Sequence, residues 1–208
     1  MLHLARVEST IRSKVAWERG QGAVTASTIL AEAASYEGLY VQAFPEFGPE
    51  RRGAPVKAYT RISRTPIRSR APIANPDIVV VLDPSLPPTH YLQGLKSDGF
   101  LVINSKLPAR DIVSKLGVSR VVVVDATGIA LRTIKAPIVN VAMLGALARV
   151  VSMVSLESIA RATLKMLFNV KLEGPLDSLI RSSILGEAAL GNLEALVEAY
   201  RLAEVVEV

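Results

Sequence analysis

The chain predicts a three-layer α/β/α fold, with a mostly parallel, mixed sheet and a helical C-terminal third. Three observations carry that prediction. Two continuous β-branched runs, Asp77-Ile78-Val79-Val80-Val81-Leu82 and Arg120-Val121-Val122-Val123-Val124, suit central strands covered on both faces by helices. Stretches of helical periodicity alternate with extended runs through the first two-thirds of the 208 residues. Half of the residues are apolar, which at this length is enough to build one domain around a buried core.

Each element follows from local pattern. Lys14 to Trp17 reads as a short strand running into Gly20-Gln21-Gly22. A helix comes next, with Ala23, Ala26, Leu30, Ala33 and Ala34 on one face and Gly38 as its stop after Glu37. Side chains this small let a helix sit close to a sheet. Tyr40 to Ala43 is extended. Val56 to Ser63 alternates, so Val56, Ala58, Thr60 and Ile62 are expected inside, with Lys57, Tyr59, Arg61 and Ser63 in water. This more polar strand is what should make the sheet mixed.

The two β-branched runs end in Asp83 and Asp125, which read as turn formers rather than as acids or bases, with Pro84 and Thr127-Gly128 turning the chain. Phe100 to Asn104 is a shorter strand, and Asp111 to Leu116 a short helix stopped by Gly117. Beyond Pro137 the pattern is helical to the end. Val141 to Val154 reads as one helix, and Leu156 to Leu167 as another, capped from Ser155 and Ser158. Pro175 opens a last stretch that Gly186 and Gly191 should divide into short helices, the final one built on Leu193, Leu196, Val197 and Tyr200. The organisation expected is a single domain over 1–208, poorly ordered in 1–12 and mainly helical in 139–208.

Composition excludes several chemistries. With no cysteine there is no disulfide scaffold, thiolate nucleophile, cysteine-bound zinc or cysteine-held iron–sulfur cluster. His3 and His90 are isolated from each other and from acidic partners in sequence, so neither a metal site nor a catalytic residue is expected in this chain. The longest apolar stretch, Pro137 to Leu156, is interrupted by Asn140 and Arg149, and the first residues lack a signal-peptide core. A cytoplasmic protein with no membrane partner is expected.

The net charge of +5 comes from one segment. Residues 51–70 hold Arg51, Arg52, Lys57, Arg61, Arg64, Arg68 and Arg70 and no acid. The remainder carries 17 basic and 19 acidic residues. Arginine forks in such a segment can meet water, a partner's carboxylates or a ligand's phosphates. Tyr59 is its sole aromatic, so the stacking surface needed for single-stranded nucleic acid is missing and no nucleic-acid partner is expected.

Two motifs could carry function. Gly20-Gln21-Gly22 sits between a strand and a helix start, where backbone N–H groups and the helix dipole favour an anion. It is neither a dinucleotide fingerprint, whose third glycine fails at Thr25, nor a phosphate loop of the lysine-bearing kind. The second motif is the segment Gln42-Ala43-Phe44-Pro45-Glu46-Phe47-Gly48-Pro49-Glu50-Arg51-Arg52-Gly53-Ala54-Pro55, too long and too rigid in composition for a simple turn.

These two motifs, with Tyr59-Thr60-Arg61-Ile62-Ser63, the Pro76–Pro84 run, Pro137-Ile138-Val139-Asn140-Val141-Ala142-Met143-Leu144-Gly145-Ala146-Leu147 and Val154-Ser155-Leu156-Glu157, resemble the gamma subunit of pyruvate:ferredoxin oxidoreductase. The resemblance runs in order from about Val15 to Leu167 and more loosely beyond. The family shows a fuller glycine run before the Gln-Gly; here Trp17-Glu18-Arg19 stands in its place, and the Glu18 carboxylate opposes anion binding nearby.

The resemblance implies CoA-dependent oxidative decarboxylation of pyruvate or a branched-chain 2-oxoacid, giving acyl-CoA, carbon dioxide and reduced ferredoxin. It also implies alpha, beta and delta partner subunits carrying thiamine diphosphate, magnesium and iron–sulfur clusters, and this chain inactive alone. Coenzyme A, as shared substrate, would be held by Gly20, Gln21, Gly22, Glu46, Gly48, Pro49, Glu50, Arg51, Arg52 and Gly53. Asn140 could bond that ligand or cap the helix it opens. A non-catalytic scaffold and a free-standing nucleotide-binding module remain the alternatives.

Overall fold

The computed structural model describes residues 11–17 (backbone), 22–46, 56 (backbone), 57–69, 71, 73–181 and 183–208. Seven strands form one sheet: β1 (Ile11–Trp17), β2 (Tyr40–Glu46), β3 (Val56–Ser63), β4 (Ile78–Val81), β5 (Phe100–Asn104), β6 (Arg120–Val124) and β7 (Glu204–Glu207). Their order is β2-β3-β1-β4-β5-β6-β7. β1, β4, β5 and β6 run parallel, while β3 is antiparallel to both β1 and β2, and β7 is antiparallel to β6. The sheet is therefore mixed, as the polar pattern of β3 predicts.

Eight helices accompany it among the described residues: α1 (Gly22–Tyr36), α2 (Pro88–Leu92), α3 (Ala109–Leu116), α4 (Ala126–Thr133), α5 (Asn140–Leu147), α6 (Leu156–Phe168), α7 (Leu176–Ile180) and α8 (Glu187–Leu202). Period two along the strands separates two cores. Val80, Val102 and Val122 face the larger one with Ala58, Ile62 and the apolar sides of α1, α4, α5, α6 and α8. Val79, Val81, Leu101, Ile103, Val121 and Val123 face the smaller one, closed by α2 and α3. This is the three-layer arrangement expected.

Terminators act as their chemistry dictates. Gly38 and Gly117 take left-handed φ values of 72° and 66° after α1 and α3, a region without penalty only for glycine. Ser155 Oγ accepts from Ser158 N (3.1 Å) to open α6. Asp83 Oδ1 accepts from Ser85 N (2.9 Å) and Asp125 Oδ1 from Gly128 N (2.8 Å), so both acids form turns. Asp125 also starts a helix, α4, where the sequence suggested only a turn.

Other expectations are corrected. The helix expected over 141–154 stops at Leu147, because the chain tightens through Arg149 N to Ala146 O and Val150 N to Leu147 O, just where β-branched Val150 and Val151 disfavour a regular continuation. Gly191 does not divide the last stretch; it lies inside α8, and a Cβ there would stand 2.4 Å from Thr133 O. It is a close-packing glycine, not a breaker. The chain does not end in helix, since β7 pairs Val206 with Val121 and Val205 with Val122 at the sheet margin. Finally, Tyr59, Arg61 and Ser63 are not in water: they are 4%, 5% and 4% exposed. The face of β3 expected to be wet is covered by residues that fold back onto it.

Candidate functional site

The antiparallel insertion of β3 decides where the two motifs lie. Because β3 opposes both neighbours, β2 and β1 point the same way, and Trp17 stands across from Val56 while Glu46 stands across from Lys57. The connections leaving Trp17 and Glu46 and those entering Gly22 and Val56 thus meet one edge of the sheet. It is also the edge where β4 ends in Asp83, β5 in Asn104 and β6 in Asp125. The chain reverses direction across the sheet between β1 and β4, and in open α/β sheets that crevice is where ligands bind.

Gly22 opens α1 at this edge, and the first turn of the helix carries no carboxylate, so its positive end keeps its field. Ala23, Ala26, Ile29, Leu30, Ala33 and Ala34 hold the helix on the sheet. Glu46, the last residue of β2, is exposed and accepts a hydrogen bond from the buried Tyr59 hydroxyl. Burial first, and the Glu46 carboxylate second, push the Tyr59 phenol above its usual range and keep it a neutral donor. Phe44 stacks on the Tyr59 ring with centroids 5.4 Å apart, and the Arg61 guanidinium lies over Phe44 at 5.5 Å. Arg61 donates to Gln42 Oε1 (2.9 Å), Ser69 O (3.0 Å) and Ala71 O.

Of the sequence-predicted site residues, Gly22 and Glu46 lie at this edge. Gly20, Gln21, Gly48, Pro49, Glu50, Arg51, Arg52 and Gly53 fall outside the described residues. Asn140 is not brought beside Glu46: it opens α5, which packs on α8, α1, β5 and β6, whereas β2 is the far margin of the sheet. Its side chain is buried, with Oδ1 accepting from Val141 N (2.9 Å); it is the first residue of α5 and not its cap, which is Val139 with no side-chain capping bond, so the cap the sequence offered as one reading is not formed.

The pattern did not single out Asn104. Its Nδ2 donates to Leu82 O (3.0 Å) and Thr127 Oγ1 (2.9 Å), and its Oδ1 accepts from Thr127 N (3.3 Å). One amide thereby ties the segments that follow β4 and β6 to the end of β5 at the candidate edge. The signal available was a single polar residue closing the apolar run Phe100–Ile103. Among the described residues no group of three or more His, Asp or Glu side chains is placed to hold a metal ion. A cavity of about 560 Å³ between α4, α7 and α8, lined by Thr133, Asp177, Ile180, Arg181 and Arg201, contains none of the predicted residues.

Comparison with known proteins gives this edge a context. Residues 16–173 match the family described as pyruvate ferredoxin/flavodoxin oxidoreductase. The "pyruvate/ketoisovalerate oxidoreductases common subunit gamma" of Pyrococcus abyssi is 45% identical over 192 residues, covering 91% of this chain and 95% of the relative. "Pyruvate synthase subunit PorC" of Methanothermobacter thermautotrophicus is 51% identical over 143 residues, 68% of this chain and 77% of the relative. A crystal structure of the pyruvate oxidoreductase subunit PORC from Thermotoga maritima superposes with a TM-score of 0.76 at 38% identity, covering 95% of this chain and 99% of that one. With the family matched over most of its residues and gamma subunits matched along nearly their full length, the chain belongs to the pyruvate ferredoxin/flavodoxin oxidoreductase family, as a subunit of the gamma type.

Proposed function

We propose that this chain is the gamma subunit of a multi-subunit pyruvate:ferredoxin, or branched-chain 2-oxoacid:ferredoxin, oxidoreductase of the cytoplasm. The assembly converts a 2-oxoacid and coenzyme A into acyl-CoA and carbon dioxide and passes two electrons to ferredoxin. One observation carries the reading: end-to-end similarity to a gamma subunit whose name joins pyruvate and ketoisovalerate oxidoreductases. The donor set agrees with a helper role. A chain with no cysteine has no thiolate to hold an iron–sulfur cluster, so the electron carriers, with thiamine diphosphate and magnesium, are assigned to alpha, beta and delta companions.

Within this reading coenzyme A meets the chain at the edge where β1 and β2 end. Gly20, Gln21 and Gly22 would offer backbone N–H groups at the start of α1, and Glu46 with Gly48, Pro49, Glu50, Arg51, Arg52 and Gly53 would supply the arginine side, the guanidinium groups pairing with phosphates. The test uses the complex purified with its companions. Arg51→Ala and Arg52→Ala should each raise KM for coenzyme A by about tenfold with kcat nearly unchanged, the loss of one charge-assisted contact. An unchanged KM in an intact complex would leave the segment a scaffold. A native chain that runs alone at 22.3 kDa and binds nucleotide without companions would replace the subunit reading by a free-standing module.

A further inference from the structure

The sheet half formed by β2, β3 and β1 has one face outside the smaller core, which α2 and α3 close over β4, β5, β6 and β7. The chain covers part of that face with its own backbone. After β3 the described residues 64–69, 71 and 73–77 form neither helix nor strand, and they are pinned at intervals. Ser63 Oγ accepts from Thr65 N (3.1 Å), the buried Arg61 holds the carbonyls of Ser69 and Ala71, and Ile73 is 4% exposed. The result is a strap across the sheet whose inner side is fixed by a buried guanidinium.

Its outer side is cationic, with no ionic partner among the described residues. Arg64 and Arg68 are exposed, and neither makes an ion pair or hydrogen bond with any described residue. Some arginines elsewhere are paired, Arg120 with Glu207 and Arg132 with Glu198, while Arg110, Arg181 and Arg201 make no ion pair among the described residues but do not lie together on one acid-free segment. The strap cannot neutralise itself, because from Arg51 to Pro76 the sequence contains no acid. We propose that this strap is a docking surface for an acidic face of a companion subunit, with Arg64 and Arg68 as its contacts; the inference rests on the gamma-subunit reading. A backbone already held in place presents its guanidinium forks with little left to order on association, and such forks pair bidentately with carboxylates. A protein face fits better than nucleic acid, because Tyr59, the aromatic of the basic segment, is buried against Phe44 and offers no ring to stack on bases.

The experiment compares complexes assembled from the full chain and its companions, with native mass spectrometry giving the dissociation of the gamma chain across a salt series. R64E/R68E should weaken association at least about tenfold near physiological salt, R64Q/R68Q should weaken it less, and R64K/R68K should stay within about threefold, with wild-type affinity falling as salt screens the contact. K106E/K115E, which reverses two exposed charges elsewhere, should leave it unchanged. If the wild type assembles and both the reversed and the neutral variants assemble equally well, this inference fails while the subunit reading stands. If the control reversal weakens assembly as much as the strap reversal, the inference fails as well. If the strap variants lose affinity for a short single-stranded oligonucleotide but not for the companions, the surface serves nucleic acid and the inference fails. A wild-type chain that binds no companion overturns the subunit reading and this inference together.

Discussion

Tyr59 and Arg61 show how much one strand's outer face can carry. Both occupy positions that alternation assigns to water, yet Tyr59 spends its hydroxyl on Glu46 and Arg61 spends its guanidinium on Gln42, Ser69 and Ala71. Alternation reveals which side chains share a face, but not whether later chain will return to cover it. Tyr59→Phe should cost about 1 kcal/mol in urea unfolding at pH 7, the net worth of one hydrogen bond partly open to solvent. The pH dependence has a definite sign. The folded phenol titrates above its unfolded value of about 10, so its contribution is complete below that pH and is lost as pH rises toward the folded value. Wild type should therefore lose stability above pH 10 more steeply than Tyr59→Phe, and a parallel pair of curves would deny the bond any such role.

At the scale of elements, the seam between α1 and α6 is held at one end by Glu37. Its Oε1 accepts from Ser155 Oγ (2.7 Å), Ser158 Oγ (2.7 Å) and Ser155 N (3.1 Å), so a single carboxylate joins the end of α1 to the first turn of α6. Those bonds, led by the Ser155 hydroxyl, hold the Glu37 carboxyl below its usual value. The stability it contributes is present above the unfolded carboxylate value and disappears as pH falls through the lower folded value. Glu37→Ala should cost about 1 kcal/mol at neutral pH, a figure already reduced for an exposed group, and the difference from wild type should close below about pH 4. Thermal melts from pH 3 to 7 read this directly. Elsewhere the helix layer depends on absent side chains: a Cβ on Gly145 in α5 would stand 2.1 Å from Leu196 O of α8. That is why these two helices can bury one another so closely.

For the whole molecule, β7 is the element that completes the sheet. It covers the outer side of β6, places Val208 N on Ser119 O (2.9 Å), and through Glu204 accepts the free N–H of Ala109 at the start of α3 (2.9 Å). Deleting 204–208 would bare a strand of four consecutive valines, Val121 to Val124, and remove the anchor of α3. The expected outcome is a lower melting temperature together with concentration-dependent association by light scattering, as an unprotected edge recruits a second chain. A truncated chain that stays dispersed and melts like wild type would contradict that role.

Local residues by themselves determined the parallel strands, through valine runs that only a doubly covered strand tolerates, and the helix ends, through Ser155, Gly38 and Gly117 acting within a turn of themselves. The two segments that the sequence singles out by their glycines, prolines and arginines fall mostly outside the described residues. Tertiary structure alone decided that Gly191 runs through the middle of a helix, that Asn104 ties the segments after β4 and β6 to the end of β5, that β7 returns to the margin, and that Arg61 is buried beneath a strap. Each of those outcomes depends on partners far along the chain, where contact is set by how layers pack and which backbone groups still lack a hydrogen bond, and neither quantity is written in a window of neighbouring residues.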